Sequence, residues 1–145
     1  MPDTIDLESF LSSYIETALW SSSDNADDNG GEPFDKNYGP DDIAPETLDK
    51  MRKHCTAFLN HPNGGRLIEI AERLAADGKY ICPSRDGDVP GYAAHHLWLT
   101  RNEHGCGFWE TEKWPKGMGQ ALDETAKDFG EFDLYIGDDG LIHGC

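Results

Sequence analysis

The apolar residues of this chain change their spacing once, and that change limits the folds open to it. From the N-terminus they recur at helical period: Ile5, Leu7, Phe10, Leu11, Tyr14, Ile15, Ala18 and Leu19. This spacing gathers them on one broad face and predicts a helix over 4–20. Asp3 or Thr4 caps it, and Asp6 and Glu8 suit the positive end of the helix dipole. A second helix is predicted over 45–60, opened by Pro45, with Leu48, Met51, Cys55, Phe58 and Leu59 as its core stripe. Cys55 within that stripe reads as a small buried hydrophobe. A third helix over 66–77 turns Leu67, Ile70, Ala71 and Leu74 inward and stops at Gly78. Residues 79–93, broken by Pro83, Gly87, Pro90 and Gly91, read as a short strand and a loop leading out of the helical half.

Beyond them the spacing is that of short strands. Leu97–Thr100 and Gly107–Glu110 are predicted to pair as a hairpin, with Arg101–Cys106 as the connection. A helix follows over 117–129, with Met118, Leu122, Ala126 and Phe129 inward and Gly130 closing it. A second hairpin joins Asp133–Ile136 to Leu141–His143 through Gly137-Asp138-Asp139-Gly140, a strong turn sequence. The expected class is α+β: two or three N-terminal helices, then hairpin, helix and hairpin forming a small antiparallel sheet. A chain of 145 residues suits one domain, taken here as 1–145. The polar, acidic loop 21–42 is inserted between the first two helices. Phe34 and Tyr38 within it are expected to pin it to the body.

Charge narrows the partners. The net charge is −16, and residues 1–50 hold thirteen Asp and Glu against Lys36 and Lys50. Direct nucleic-acid binding needs Lys and Arg against phosphate, so it is disfavoured. An anionic membrane is disfavoured for the same reason. No apolar run is long enough to cross a bilayer, and the acidic MPDTIDLESF start lacks the basic region of a signal peptide. A cytoplasmic location is expected. A basic protein surface is the favoured partner, including the nucleic-acid grooves of other proteins.

Chemistry-bearing residues are densest in HLWLTRNEHGCGFWE, residues 96–110, and the His-Gly-Cys of 104–106 recurs at 143–145. His104, Cys106, His143 and Cys145 form an admissible zinc set, since alternate strand residues share a face. Their one-residue spacing is shorter than the usual two to four, and the chain contains no C-x-x-C pair. Cys106 with His104 or His143 as base and Glu103 as orienter is a possible nucleophilic set. Arg101 is the only nearby cation to favour a thiolate. Acid pairs such as Asp27-Asp28 and Asp41-Asp42 are too numerous to single out one for acid–base work, and Asp138-Asp139 fits turn chemistry. No phosphate loop, dinucleotide fingerprint or nucleophile elbow occurs. Trp98, Trp109 and Trp114 fall close together, and two of the three are expected in the core. No catalytic residue and no cofactor is therefore assigned.

The stretch LWLTRNEHGCGFWE, the helix after it and DLYIGDDGLI resemble a group of small acidic proteins of tailed phages and prophages. That group has a core close to F-W-L-T-R-N-G-H-G-A-G-F-W followed by D-L-Y-x-G-D-D-G. The opening FLSSYIETALWSSSD, the segment Asp35–Ile43 and APETL fit it as well, so the likeness spans most of the chain. Glu103 and Cys106 replace the group's glycine and alanine, which argues against a shared cysteine or zinc chemistry. The segment 79–93 and the His143-Gly144-Cys145 tail are peculiar to this sequence. The group carries no assigned activity. The resemblance implies a phage origin and action in the bacterial cytoplasm.

Acidity and resemblance together suggest an accessory protein that inhibits a host defence, such as an anti-CRISPR or anti-restriction factor. Its partner would be a host nucleic-acid-binding, CRISPR or restriction component. Asp24, Asp27, Asp28, Glu32, Asp35, Asp41 and Asp42 would supply mimicking charge. Arg101, Asn102, Glu103 and His104 would be displayed on the hairpin connection. The alternatives are a metal or Cys/His enzyme centred on 101–106 and the tail, and a phage structural or assembly protein.

Overall fold

The computed structural model describes residues 5–24, 32–34, 38–83, 88–102 and 107–144. The fold is α+β, with several N-terminal helices and a short antiparallel hairpin at the C-terminal end. Helix α1 spans Leu7–Ser21 and buries Phe10, Leu11, Tyr14, Ile15, Thr17, Ala18 and Leu19, the face its periodicity called for. Asp6 is its N-cap residue, and the Ser9 hydroxyl donates to the Asp6 carboxylate at 2.7 Å. Two-residue strands β1 (Ser23–Asp24) and β2 (Glu32–Pro33) then pair antiparallel, so the acidic loop is partly laddered at its base. Phe34 follows, buried, with its ring edge-on to Tyr38 at 5.9 Å. Both rings pin the loop to the body, as their isolation in a polar stretch suggested.

Helix α2 (Pro45–Asn60) begins with Pro45 at its first turn and buries Thr47, Met51, Cys55 and Phe58. The glycines that follow allow a tight approach. A Cβ on Gly64 or Gly65 would collide with the carbonyls of Phe58 and Leu59, so α3 (Gly65–Ala76) starts directly against the end of α2. Helix α3 buries Ile68 and Ala71, while Leu67, Ile70 and Leu74 are half-buried. Its buried stripe is therefore out of phase with the expected one by part of a turn. Gly78 closes it at φ 74°.

The main correction is α4, Val89–Arg101. Of the segment expected as a strand and loop over 79–93, the described residues 79–83 form no strand and Val89 onward is helical, and the strand expected over 97–100 is part of the same helix. Residues 107–110 form a turn instead of a returning strand, and Thr111–Lys113 continue as a 3-10 turn. The physical reason is burial. Ala93, Ala94, His96, Leu97, Trp98, Leu99, Thr100 and Arg101 are all buried, so polar and apolar sides never alternate at helical period. A helix covered on every side shows no amphipathic stripe, and a short apolar run does not by itself separate strand from helix. The start signal was local: Asp88 caps the helix by accepting the Gly91 N–H at 3.1 Å, with Pro90 in the first turn.

Helix α4 is the centre of the molecule. It packs on α1, α3 and α5, the last spanning Met118–Asp128. Trp98 is edge-on to Tyr14 at 5.4 Å, and its indole N–H donates to Ser21 Oγ at 2.8 Å. Phe10, Phe58 and Phe108 stack in a row at 6.2 and 6.1 Å. Trp98 and Trp114 are buried and Trp109 is exposed, which is the expected two of three.

Strands β3 (Leu134–Ile136) and β4 (Ile142–Gly144) form the predicted C-terminal hairpin. Its turn is held by Gly140 N–H to Gly137 O at 3.0 Å and Gly137 N–H to Leu141 O at 2.8 Å, with Gly140 at φ 79°. Gly140 sits in the left-handed region, where any Cβ is strained. The outer side of β4 is tied to the segment before α2. Ile43 bridges Ile142 in parallel, and the Ala44 N–H donates to Ile142 O at 2.9 Å. Among the described residues, no helix is long and apolar enough to cross a membrane.

Candidate acidic binding surface

Of the residues that sequence reasoning placed on display, Arg101 at the C-terminal end of α4 is buried and Asn102 just after it is half-buried. Arg101 is 3% exposed. Its Nε–H donates to Gly130 O at 2.8 Å and its Nη2–H to Phe129 O at 3.3 Å. Nη1 donates to Tyr14 Oη at 2.8 Å and to His54 Nδ1 at 3.0 Å. The guanidinium also lies 5.8 and 5.6 Å from the Phe129 and Phe132 rings. Among the described residues its partners are a phenol, an imidazole and two carbonyls, with no carboxylate. Arg101 thus closes the end of α4 onto the turn after α5. Asn102 does the neighbouring work. Its Nδ2 donates to Trp98 O at 3.1 Å, and its Oδ1 accepts the Phe132 N–H at 2.9 Å. Arg101 is buried, and the half-buried Asn102 side chain is engaged with the fold itself. Glu103, His104 and Cys106 lie outside the described residues, as does Cys145.

Apart from Arg101, the buried and half-buried groups with shifted protonation favour their neutral forms. Arg101 donates to His54 Nδ1, so that nitrogen carries no proton. Burial, then the charges of Arg101 and Lys50, push His54 down to about 4. Burial, then His95, pushes His96 down to about 3, and His96 Nδ1 accepts the Trp114 indole N–H at 3.2 Å. His95, beside Thr17 Oγ1 at 3.0 Å, is lowered by burial as well. Burial raises the Cys55 thiol and the Tyr14 phenol, which keeps Cys55 out of nucleophilic chemistry at neutral pH. Among the described residues no group of three or more His, Cys, Asp or Glu is arranged to hold a metal ion.

Charge is concentrated on the outside. Of the acids expected to carry mimicry, Asp41 is exposed in the 3-10 turn Pro40–Asp42, and Asp42 accepts the Gly39 N–H at 2.8 Å. The main chains of Asp24 and Glu32 pair across β1 and β2. Asp27, Asp28 and Asp35 fall outside the described residues. Sequence reasoning missed a second group at the hairpin. His143 Nε2 lies 3.0 Å from both Asp139 carboxylate oxygens, and His143 Nδ1 lies 3.7 Å from Glu46 Oε1 at the start of α2. The Leu141 N–H, then His143, hold Asp139 below the usual carboxylate range. Tyr135, 50% exposed, stacks on His143 at 5.7 Å and 25°. Glu131, Asp133 and Asp138 are exposed around it. The expected strands did not reveal this pairing: joined directly through Gly137–Gly140 they would set Ile136 against Leu141, whereas the observed register sets Ile136 against Ile142 and Tyr135 against His143.

The Ile43–Ile142 bridge brings the two acidic groups to one end of the molecule. The 3-10 turn with Asp41 runs straight into Ile43, and Glu46 begins the next helix beside His143. This end offers carboxylates on fixed backbone with one exposed aromatic ring among them. Its chemistry is attraction of cations, and its fixed backbone keeps the ordering cost of binding low.

No protein-family model matches the chain, and neither a curated protein nor a solved structure matches it.

Proposed function

We propose that this chain is a binding protein that covers a basic, nucleic-acid-binding surface of a host protein. In this reading it is a phage accessory factor that inhibits a bacterial defence such as CRISPR or restriction, acting in the host cytoplasm. One observation carries the reading. With a net charge of −16, the described acids at the hairpin end are exposed on anchored backbone, while Arg101, His96 and Cys55 are used up in the interior. The resemblance to acidic phage proteins supports the same direction. Complementary charge speeds encounter with a basic groove and blocks nucleic acid from it.

The test neutralises charge in groups. Asp41→Asn, Glu46→Gln, Asp138→Asn and Asp139→Asn together should weaken partner binding and flatten its dependence on salt, with single changes doing little. A second set, Asp24, Asp27, Asp28, Glu32, Asp35 and Asp42 to their amides, asks whether the loop shares the work. Undiminished binding by both sets would overturn the reading.

A further inference from the structure

The β3–β4 hairpin has one finished edge and one unfinished edge. The outer side of β4 is taken by Ile43 and Ala44. Among the described residues, nothing takes the outer side of β3. The Gly137 N–H donates to Leu141 O, and the register pairs Tyr135 with His143. Antiparallel pairs alternate between bonded and non-bonded, so Tyr135 and His143 exchange the ladder bonds. Leu134 and Ile136 must then aim their N–H and C=O groups away from β4. Among the described residues neither takes a hydrogen bond on that side.

Side chains add chemistry to this open ladder. Leu134 and Ile136 lie on the inner face, half-buried against the core. Tyr135 lies on the outer face, and alternation sets Asp133 on that face too, both exposed. Asp138, Asp139 and Glu131 flank the strand at its two ends, all exposed. A second copy of the same edge would bring these acids against themselves, and like charges directly across a ladder are destabilising. The short acidic edge therefore guards against self-pairing while keeping its main-chain groups free.

The geometry points to β3 as an acceptor for an added strand: an extended segment of the partner that alternates apolar and basic residues. Its main chain would bond the free N–H and C=O groups of Leu134 and Ile136. Its apolar side chains would extend the inner face beside those two residues. Its arginines or lysines would lie over the Tyr135 ring and against Asp133 and the turn acids. This rests on the reading that the chain acts by binding a basic partner, and it adds where and how the contact is made.

The probe is a short synthetic peptide alternating valine and arginine, titrated into the intact isotope-labelled protein. Its controls are the glutamate-for-arginine peptide and the arginine peptide N-methylated along the edge that would face β3. Slowed amide exchange and shifted resonances at Leu134 and Ile136, lost with both controls, are the expected result. Equal binding by the N-methylated peptide would overturn strand addition and reduce the contact to charge alone, leaving the acidic-surface reading standing. Absence of binding by the arginine peptide would also overturn strand addition, as would self-association of the protein through β3. Competition by nucleic acid for the host partner is measured separately, so the two readings fail by different outcomes.

Discussion

Arg101 shows how residue type and residue role come apart. An arginine between a threonine and an asparagine looks like a surface contact. Its burial makes it instead a clamp of four hydrogen bonds on Tyr14, His54 and the carbonyls of Phe129 and Gly130. Arg101→Met would leave the buried Tyr14 hydroxyl and the half-buried His54 Nδ1 without their donor. The expected loss is about 3 kcal/mol of stability in urea denaturation, with partner binding unchanged wherever the variant remains folded. A loss below about 0.5 kcal/mol would place Arg101 at the surface after all. The buried histidines supply a pH test. His54 and His96 titrate at about 4 and about 3 when folded, below the ordinary 6.5. Between those values the unfolded chain binds more protons. Their contribution is therefore complete above about pH 6.5 and declines as pH falls through the window. Acid self-repulsion has the opposite sign, since it relaxes toward the pI near 4.5. His96→Asn keeps an acceptor for Trp114 without an imidazole to titrate. Its denaturation midpoint should fall less steeply from pH 6.5 to 4.5 than that of the parent. Parallel pH profiles would show that His96 is not held neutral by burial.

At the scale of elements, α4 carries the architecture and was the least legible part of the sequence. Helix α1 was legible because water covers one side of it, which preserves the period of its apolar residues. The C-terminal hairpin was legible because Gly137-Asp138-Asp139-Gly140 dictates the turn locally, without help from packing. Helix α4 is enclosed by α1, α3 and α5, so Leu97-Trp98-Leu99-Thr100 shows only an apolar run. Its best clue was Asp88 before Val89-Pro90, a cap and a first-turn proline. This error displaced the site. A hairpin over 97–110 would put Arg101 and Asn102 on its exposed connection, whereas the helix end carries Arg101 into the core and leaves Asn102 half-buried. The hairpin acids were visible but were assigned to turn chemistry alone. Asp139 does serve the turn through the Leu141 N–H, and it also holds His143. Asp88→Ala tests the helical assignment. Loss of an N-cap should cost about 1 kcal/mol in equilibrium denaturation. Under the hairpin reading Asp88 lies in a loop, and the same change would cost nothing measurable.

For the whole molecule, charge is the dominant property. A net −16 on 145 residues opposes compaction, and salt at 0.1 M screens that repulsion beyond about 10 Å. Thermal stability should therefore rise between low and moderate salt, while binding to a basic partner should weaken over the same range. A protein whose acids served solubility alone would show the first trend without the second. Under the proposed binding role both trends would follow from one charge distribution, because the acids that repel one another in the free chain would face opposite charge in the complex. The most direct measurement of the central claim is competition for host proteins. The purified protein is immobilised, exposed to nuclease-treated bacterial lysate at low salt, and then washed with duplex DNA, with RNA, or with salt. The account predicts a retained nucleic-acid-binding protein that is released by salt and by nucleic acid, and that is no longer retained when Asp41, Glu46, Asp138 and Asp139 are neutralised together. A specifically retained protein that neither nucleic acid nor charge neutralisation displaces would contradict it.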